Sequence, residues 1–171
     1  MIKTISIFIF LMIIFVESYS QIDKFGDLCL YFEKTVKYIE LTSDESDIIH
    51  SEKFVIVVLD DTDLVNELND YFTGKTIKNL KVETVLLKEY NHLPDCNVCF
   101  ITENTKNIEI FETKPSVLYI GYNLDIKKNT IMINYKKAEN NDIEIEINLQ
   151  NVKKSEIEIY YLLYEIATVY K

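Results

Sequence analysis

The sequence predicts an α/β domain: a three-layer sandwich with a mostly parallel central sheet, a C-terminal antiparallel hairpin and, after it, a terminal helix. Three observations carry this expectation. An amphipathic helical pattern precedes a continuous apolar run, FVIVVL at 54–59, of the kind that forms a strand covered on both faces. Helical and strand patterns then alternate along the chain, as a layered α/β fold requires. Near the end, two segments of strict period-two alternation face each other across a short loop.

Leu28, Phe32, Thr35, Val36 and Ile39 recur at helical spacing, which predicts a helix over 27–40. After the strand at 54–59, Asp60, Asp61 and Asp63 supply an N-cap and a negative first turn for a second helix. That helix carries Leu64, Val65, Leu68, Tyr71 and Phe72, and Gly74 stands where a helix-ending glycine belongs. Segments 81–87, 97–101 and 117–120 read as strands, with a short helix expected near 106–112. Thr42 to Ser51 reads as an exposed loop. In the hairpin, Ile131, Ile133 and Tyr135 share one face with Ile143, Ile145 and Ile147 across a loop at 137–141. That loop pairs Ile133 with Ile145 and sets Asn134 opposite Glu144. Glu144, Glu146 and Asn148 then form a polar strip, expected to face solvent. The stretch 151–170 carries apolar residues on nearly every side. Read as one helix, it buries one face on the sheet and offers Tyr160, Tyr161 and Tyr164 to another chain.

The first twenty residues, MIKTISIFIFLMIIFVESYS, have a lysine, an apolar run from Ile5 to Val16, and Ser18 and Ser20 before Gln21. That is the pattern of a secretory signal peptide, too short for a spanning helix. Residues 1–20 are therefore expected to be removed. Residues 21–171 are left as a single exported domain. The chain of 171 residues carries 28 acidic against 18 basic side chains, a net charge of −10, and all its basic residues are lysines. An acidic surface without arginine argues against a nucleic-acid partner.

Catalytic chemistry finds little to work with. Cys96-x-x-Cys99 leads into a strand, whereas redox pairs of that spacing sit where a strand turns into a helix. Zinc would need two more ligands, and only His50, His92 and Cys29 could add to the pair. In an oxidising compartment a structural disulfide involving Cys96 and free buried thiols both stay open. Asp60-Asp61 after a buried strand invites a magnesium site of the receiver kind, but the strand at 97–101 ends in Thr102 and Glu103, not in an acceptor aspartate. No catalytic, cofactor-binding or metal-binding residues are assigned, and the expected protein is not an enzyme.

Seven segments resemble, in order, the YfiR-like (HmsC-like) family. They are KYIEL (37–41), FVIVVLD (54–60), YFTGKTI (71–77), CNVCFI (96–101), IMINY (131–135), IEINLQNVKKS (145–155) and LLYEIA (162–167). The chain departs from the family pattern at four places: Leu41 stands for a tryptophan, Asp60 and Ile131 for glycines, and Tyr160-Tyr161 for serines. Members of the family are periplasmic proteins that restrain a membrane-bound diguanylate cyclase. The resemblance implies a non-enzymatic regulator that binds the periplasmic region of a membrane signalling protein, a diguanylate cyclase or a sensor kinase, and represses it. It marks Cys96, Asn134, Glu146 and Asn148 as family-matched positions. A family disulfide at Cys96 would lack its partner cysteine in the preceding strand. A homodimer is expected. The alternative is a periplasmic small-ligand-binding protein, using the crevice at the strand ends near Asp60 and Thr102.

Overall fold

The computed structural model describes residues 25–41, 52–88, 92–106, 113–127, 130–140 and 142–171. The expected signal peptide, the loop at 42–51 and most of the expected helix at 106–112 lie outside these residues.

Helix α1 (Gly26–Val36) buries Leu28, Cys29, Phe32, Thr35 and Val36, the stripe that its spacing requires. It ends earlier than the pattern suggests. Lys37 and Tyr38 turn the chain into strand β1 (Ile39–Leu41). Here Ile39 and Leu41 flank Glu40 with the alternation of a strand. Strand β2 (Lys53–Leu59) is buried from Ile56 to Leu59. At its end Asp60 adopts φ 56, a left-handed turn at the position where the family pattern has glycine. Helix α2 (Thr62–Phe72) follows, capped by the Asp61 carboxylate, which accepts a hydrogen bond from the Leu64 amide at 3.1 Å.

Strand β3 (Thr76–Ile77) was not apparent in the sequence. It joins β4 (Leu80–Leu87) through Lys78 and Asn79, both at positive φ. That is the mirror-image turn of tight hairpins, made here without the usual glycine signal. Strands β5 (Val98–Ile101) and β6 (Leu118–Tyr122) are buried throughout.

The hairpin of β7 (Ile133–Lys137) and β8 (Ile143–Asn148) forms as expected, but two residues out of the expected register. Ile133 lies opposite Ile147, Tyr135 opposite Ile145, and Asn134 opposite Glu146. A shift of two keeps every side chain on its face, so the hydrophobic pattern alone could not choose between the registers.

The terminal helix over 151–170 does not exist. The stretch divides into α3 (Leu149–Lys153), β9 (Ile157–Ile159), α4 (Tyr161–Ile166) and β10 (Thr168–Tyr170). Short strands and a short helix in succession spread apolar residues over every helical direction, and this is what made the segment resemble one helix apolar all round.

The strands form a mixed, mostly parallel eight-stranded sheet in the order β10-β8-β7-β6-β5-β2-β4-β3, while β1 and β9 pair separately. Only the β3–β4 and β7–β8 neighbours are antiparallel in the large sheet. Helices α1 and α2 meet through Phe32, which stacks edge-on against Phe72 of α2 and Phe100 of β5. Tyr135 reaches α1 from β7, and its hydroxyl pairs with that of Thr35. Thr35 directs its own proton to the Tyr31 carbonyl at 2.9 Å.

Burial pushes the phenols of Tyr135 and Tyr119 far up from their usual range. In the unfolded chain they ionise near pH ~10. The folded state therefore holds more protons above that pH, and its stability falls as pH rises past it. Alkaline titration is expected to show gradual tyrosinate absorbance from the exposed tyrosines and then a cooperative step coincident with loss of circular dichroism. A smooth titration of every tyrosine with the fold intact would contradict this.

Candidate functional site

Three of the four family-matched residues come together, and they are not at the surface. Parallel neighbours such as β6 and β7 must be joined by a crossover. This one runs over residues 123–132, with no helix among its described residues. Irregular backbone laid on a sheet leaves peptide groups to be satisfied, and the polar strip of the hairpin does so. The Asn134 amide donates to the Leu124 carbonyl at 2.9 Å and accepts from the Leu124 amide at 3.2 Å. Its second amide proton goes to Glu146 Oε2 at 2.7 Å. Asn148 donates to the Ile126 carbonyl at 3.1 Å and caps α3 by accepting from Gln150 and Asn151. The other Glu146 oxygen accepts from the Tyr170 hydroxyl at 3.1 Å, which ties β10 to β8, and Lys136 Nζ lies 3.8 Å away.

The expectation of a solvated strip holds for Glu144, which is exposed, and is overturned for Glu146 and Asn148. Asn134 is 0 % and Glu146 5 % exposed, with Asn148 half-buried. The alternation was read correctly; the cover came from a crossover that periodicity does not reveal. With its protons and lone pairs engaged, the strip clamps the crossover and the last strand rather than offering an acid–base pair.

Gly121 belongs to the same clamp. A Cβ there would come within 2.7 Å of both Asn134 Oδ1 and Ile131 Cδ1. A glycine inside a buried strand signals such a close approach, so the sequence carried a sign that went unread. Gly121→Ala is expected to lower stability by about 1–3 kcal/mol, measured as a lower urea midpoint with an unchanged slope. An unchanged midpoint would show that Asn134 can move aside.

Cys96 stands before β5, two strands along the sheet from β7, away from the strip. All three cysteines are free thiols. Burial pushes Cys96 up to about 12 and raises Cys99 as well, the opposite of what a reactive thiolate needs. Among the described residues no three His, Cys, Asp or Glu side chains are grouped to hold a metal ion.

At the strand ends the chain's own polar groups bond to one another. The Asp61 carboxylate, 2 % exposed, accepts from Thr102 Oγ1 at 2.9 Å and Asn104 Nδ2 at 2.8 Å, besides capping α2. Thr105 adds a bond to the Leu59 carbonyl at 3.1 Å.

The three tyrosines predicted to meet another chain lie around α4. Leu163 anchors this helix in the core. Tyr161 is 69 % and Ile166 66 % exposed, with Tyr160 and Leu162 also open and Tyr164 half-buried. Leu162 and Ile166 lie one turn apart on one face. Tyr160 is held at the base of the helix: its amide bonds to the Tyr38 carbonyl at 2.9 Å and its hydroxyl to Glu40 at 2.8 Å. That bond to Glu40, more than any burial, raises the Tyr160 phenol. Glu40, Glu158 and Glu165 are exposed on β1, β9 and α4. The pairing of β1 with β9 sets Glu40 opposite Glu158. The surface therefore has an aromatic and aliphatic centre with acids beside it. Sequence reasoning singled out Tyr160 and Tyr161, which are exposed, but not Leu162 and Ile166, and it missed the part of Glu40, because β1 had been absorbed into α1.

Among the described residues no helix is long and apolar enough to cross a membrane. No curated protein matches the chain. The YfiR/HmsC-like family model matches residues 30–168, from α1 to the start of β10. The match takes in the strand with its left-handed Asp60, the clamped hairpin and the segment carrying α4, and by it the chain belongs to the YfiR/HmsC-like family.

Proposed function

We propose that this protein is an exported, non-enzymatic regulator that acts in the periplasm. It binds the periplasmic part of a membrane signalling protein and represses its output. Family membership makes a diguanylate cyclase the first partner to test. A sensor kinase is the second.

The observation that carries the reading is the surface on α4. Tyr161, Leu162 and Ile166 project from a six-residue helix whose only fully buried side chain is Leu163. Large apolar side chains gathered at one exposed place mark interaction sites, and tyrosines are favoured anchors in such sites. The acids beside them suit a partner with an apolar centre and basic residues around it. Repression follows if the regulator binds the inactive state of the partner more tightly than the active one. The clamp of Asn134, Glu146 and Asn148 supports this surface indirectly, because it fixes β8 and β10, the strands that bracket α3, β9 and α4 in the chain.

Small-ligand binding at the strand ends is the weaker reading, since Asp61, Thr102 and Asn104 already satisfy one another there. The experiment is a crosslinking pull-down from membranes with the tagged exported chain. Recovery of a transmembrane cyclase or kinase supports the proposal. Recovery of the chain alone speaks against it.

A further inference from the structure

Strand β4 carries more backbone than its neighbours use. From Lys81 to Leu87 it runs parallel to Lys53–Leu59 of β2, and on its other side β3 covers only Leu80 and Lys81. No described strand pairs with Val82 to Leu87 on that side. The hairpin turn fixes which groups point outward. Lys78 and Asn79 form a two-residue turn, so the flanking Ile77 and Leu80 exchange their backbone hydrogen bonds. Leu80 thus aims its amide and carbonyl away from β2, and by alternation so do Val82, Thr84 and Leu86. The other set of residues faces β2: the Leu87 carbonyl accepts from the Asp60 amide at 3.0 Å. The amides and carbonyls of Val82, Thr84 and Leu86 therefore line the open edge, on residues that are half-buried. Among them the Thr84 hydroxyl is buried and has no hydrogen-bond partner. A buried polar group costs free energy until a partner is supplied.

We infer that an extended segment of another protein, apolar in its middle and acidic at its ends, adds as a strand to Val82–Leu87 of β4. In strand addition the main-chain bonds supply affinity and alternate side chains supply selectivity. Charge defines the segment. The chain is acidic overall, yet 75–88 holds Lys75, Lys78, Lys81 and Lys88 against Glu83 alone. Glu83 is engaged by Lys53 at 2.8 Å, while Lys81 and Lys88 are exposed. Lysines protect an open edge when they stand within it. Here they stand at the two ends of a stretch, VETVLL, that no lysine interrupts. Acids at the ends of an incoming strand would meet them, and a serine or threonine opposite Thr84 would pair with its hydroxyl. This charge demand is the reverse of that on the α4 surface, whose acids suit a basic partner. The edge also lies near the end of the sheet opposite to β10, which follows α4, so the inference is independent of the proposed partner surface.

The probe is a synthetic peptide, Glu-Glu-Val-Thr-Val-Thr-Val-Glu-Glu, titrated into the purified chain at low salt. Without peptide, hydrogen exchange should be fast at the amides of Val82, Thr84 and Leu86 and slow at those of Glu83, Val85 and Leu87. With peptide, the fast set should become protected. The same peptide N-methylated on its middle residues cannot pair along the edge and should bind at least about tenfold more weakly. Lys81→Glu/Lys88→Glu should lose affinity for the acidic peptide and gain it for one with lysine ends, with an unchanged melting temperature. Protection of Val82, Thr84 and Leu86 before any peptide is added would show the edge already covered and overturn the inference. So would a failure of the peptide to bind, or equal binding of its N-methylated form, which would mean charge attraction without strand pairing. Unchanged peptide preference in the charge-reversed chain would overturn the choice of an acid-ended segment. Should that variant fail to fold, the N-methylated peptide decides on the wild-type chain alone.

Discussion

Replacing Asn134 by alanine is expected to destabilise the fold by about 3 kcal/mol. The change removes one side chain but leaves three groups without their partners. The Leu124 amide and carbonyl lose their hydrogen bonds, and Glu146 Oε2 loses its 2.7 Å donor in a place where the residue is 5 % exposed. Leaving a buried carboxylate under-partnered is the costlier part of such a loss. Glu146→Gln should cost less, about 1 kcal/mol, because its amide oxygen can still accept from Asn134. The double variant Asn134→Ala/Glu146→Ala should cost less than the sum of the single changes, since the two residues share one bond. Urea unfolding of wild type, Asn134→Ala, Glu146→Ala, the double variant and Glu146→Gln measures this. Strict additivity would show that the clamp is not a unit, and a cost below about 0.5 kcal/mol for Asn134→Ala would show that solvent reaches the strip.

The second large effect concerns binding. Tyr161→Glu is expected to weaken the membrane partner by about 2 kcal/mol, roughly thirtyfold. The folded chain should be unaffected, because Tyr161 is 69 % exposed. The new carboxylate would remove an aromatic anchor and deepen the negative charge of Glu40, Glu158 and Glu165. Tyr161→Phe should bind nearly as well as wild type, because it keeps the ring. The check is an affinity titration of each variant against the partner's periplasmic region, with thermal melts run beside it. Equal affinities for Tyr161→Glu and wild type would place the contact elsewhere on the protein.

Much of the sheet was legible because its strands are chemically uniform. Ile56 to Leu59 has no polar face to hide, so burial on both sides was readable from β2 alone. The alternation in β7 and β8 likewise gave the hairpin and its two faces. What periodicity could not give was anything fixed by a distant segment. The register of Asn134 against Glu146 instead of Glu144 differs by two residues, which no face pattern detects. The burial of the polar strip depends on the crossover carrying Leu124 and Ile126, whose sequence reads only as loop. At the C-terminus the error was one of length. Ile157-Glu158-Ile159 is too short a strand to compete with a helical reading of the residues around it, and only its pairing with Ile39-Glu40-Leu41 makes it a strand. The exposure of Tyr160 and Tyr161 was legible all the same, because the segment has more apolar side chains than one sheet face can cover, whereas Tyr164 is half-buried.

In the proposed role, this chain grips a membrane signalling protein through α4. The most direct test is a paired crosslinking pull-down from source-cell membranes, with wild-type and Tyr161→Glu chains as baits at equal abundance. A transmembrane protein with a cyclase or kinase output is expected on the wild-type bait, and its loss from the Tyr161→Glu bait. Equal recovery on both baits, or recovery of nothing but the chain itself, would contradict it.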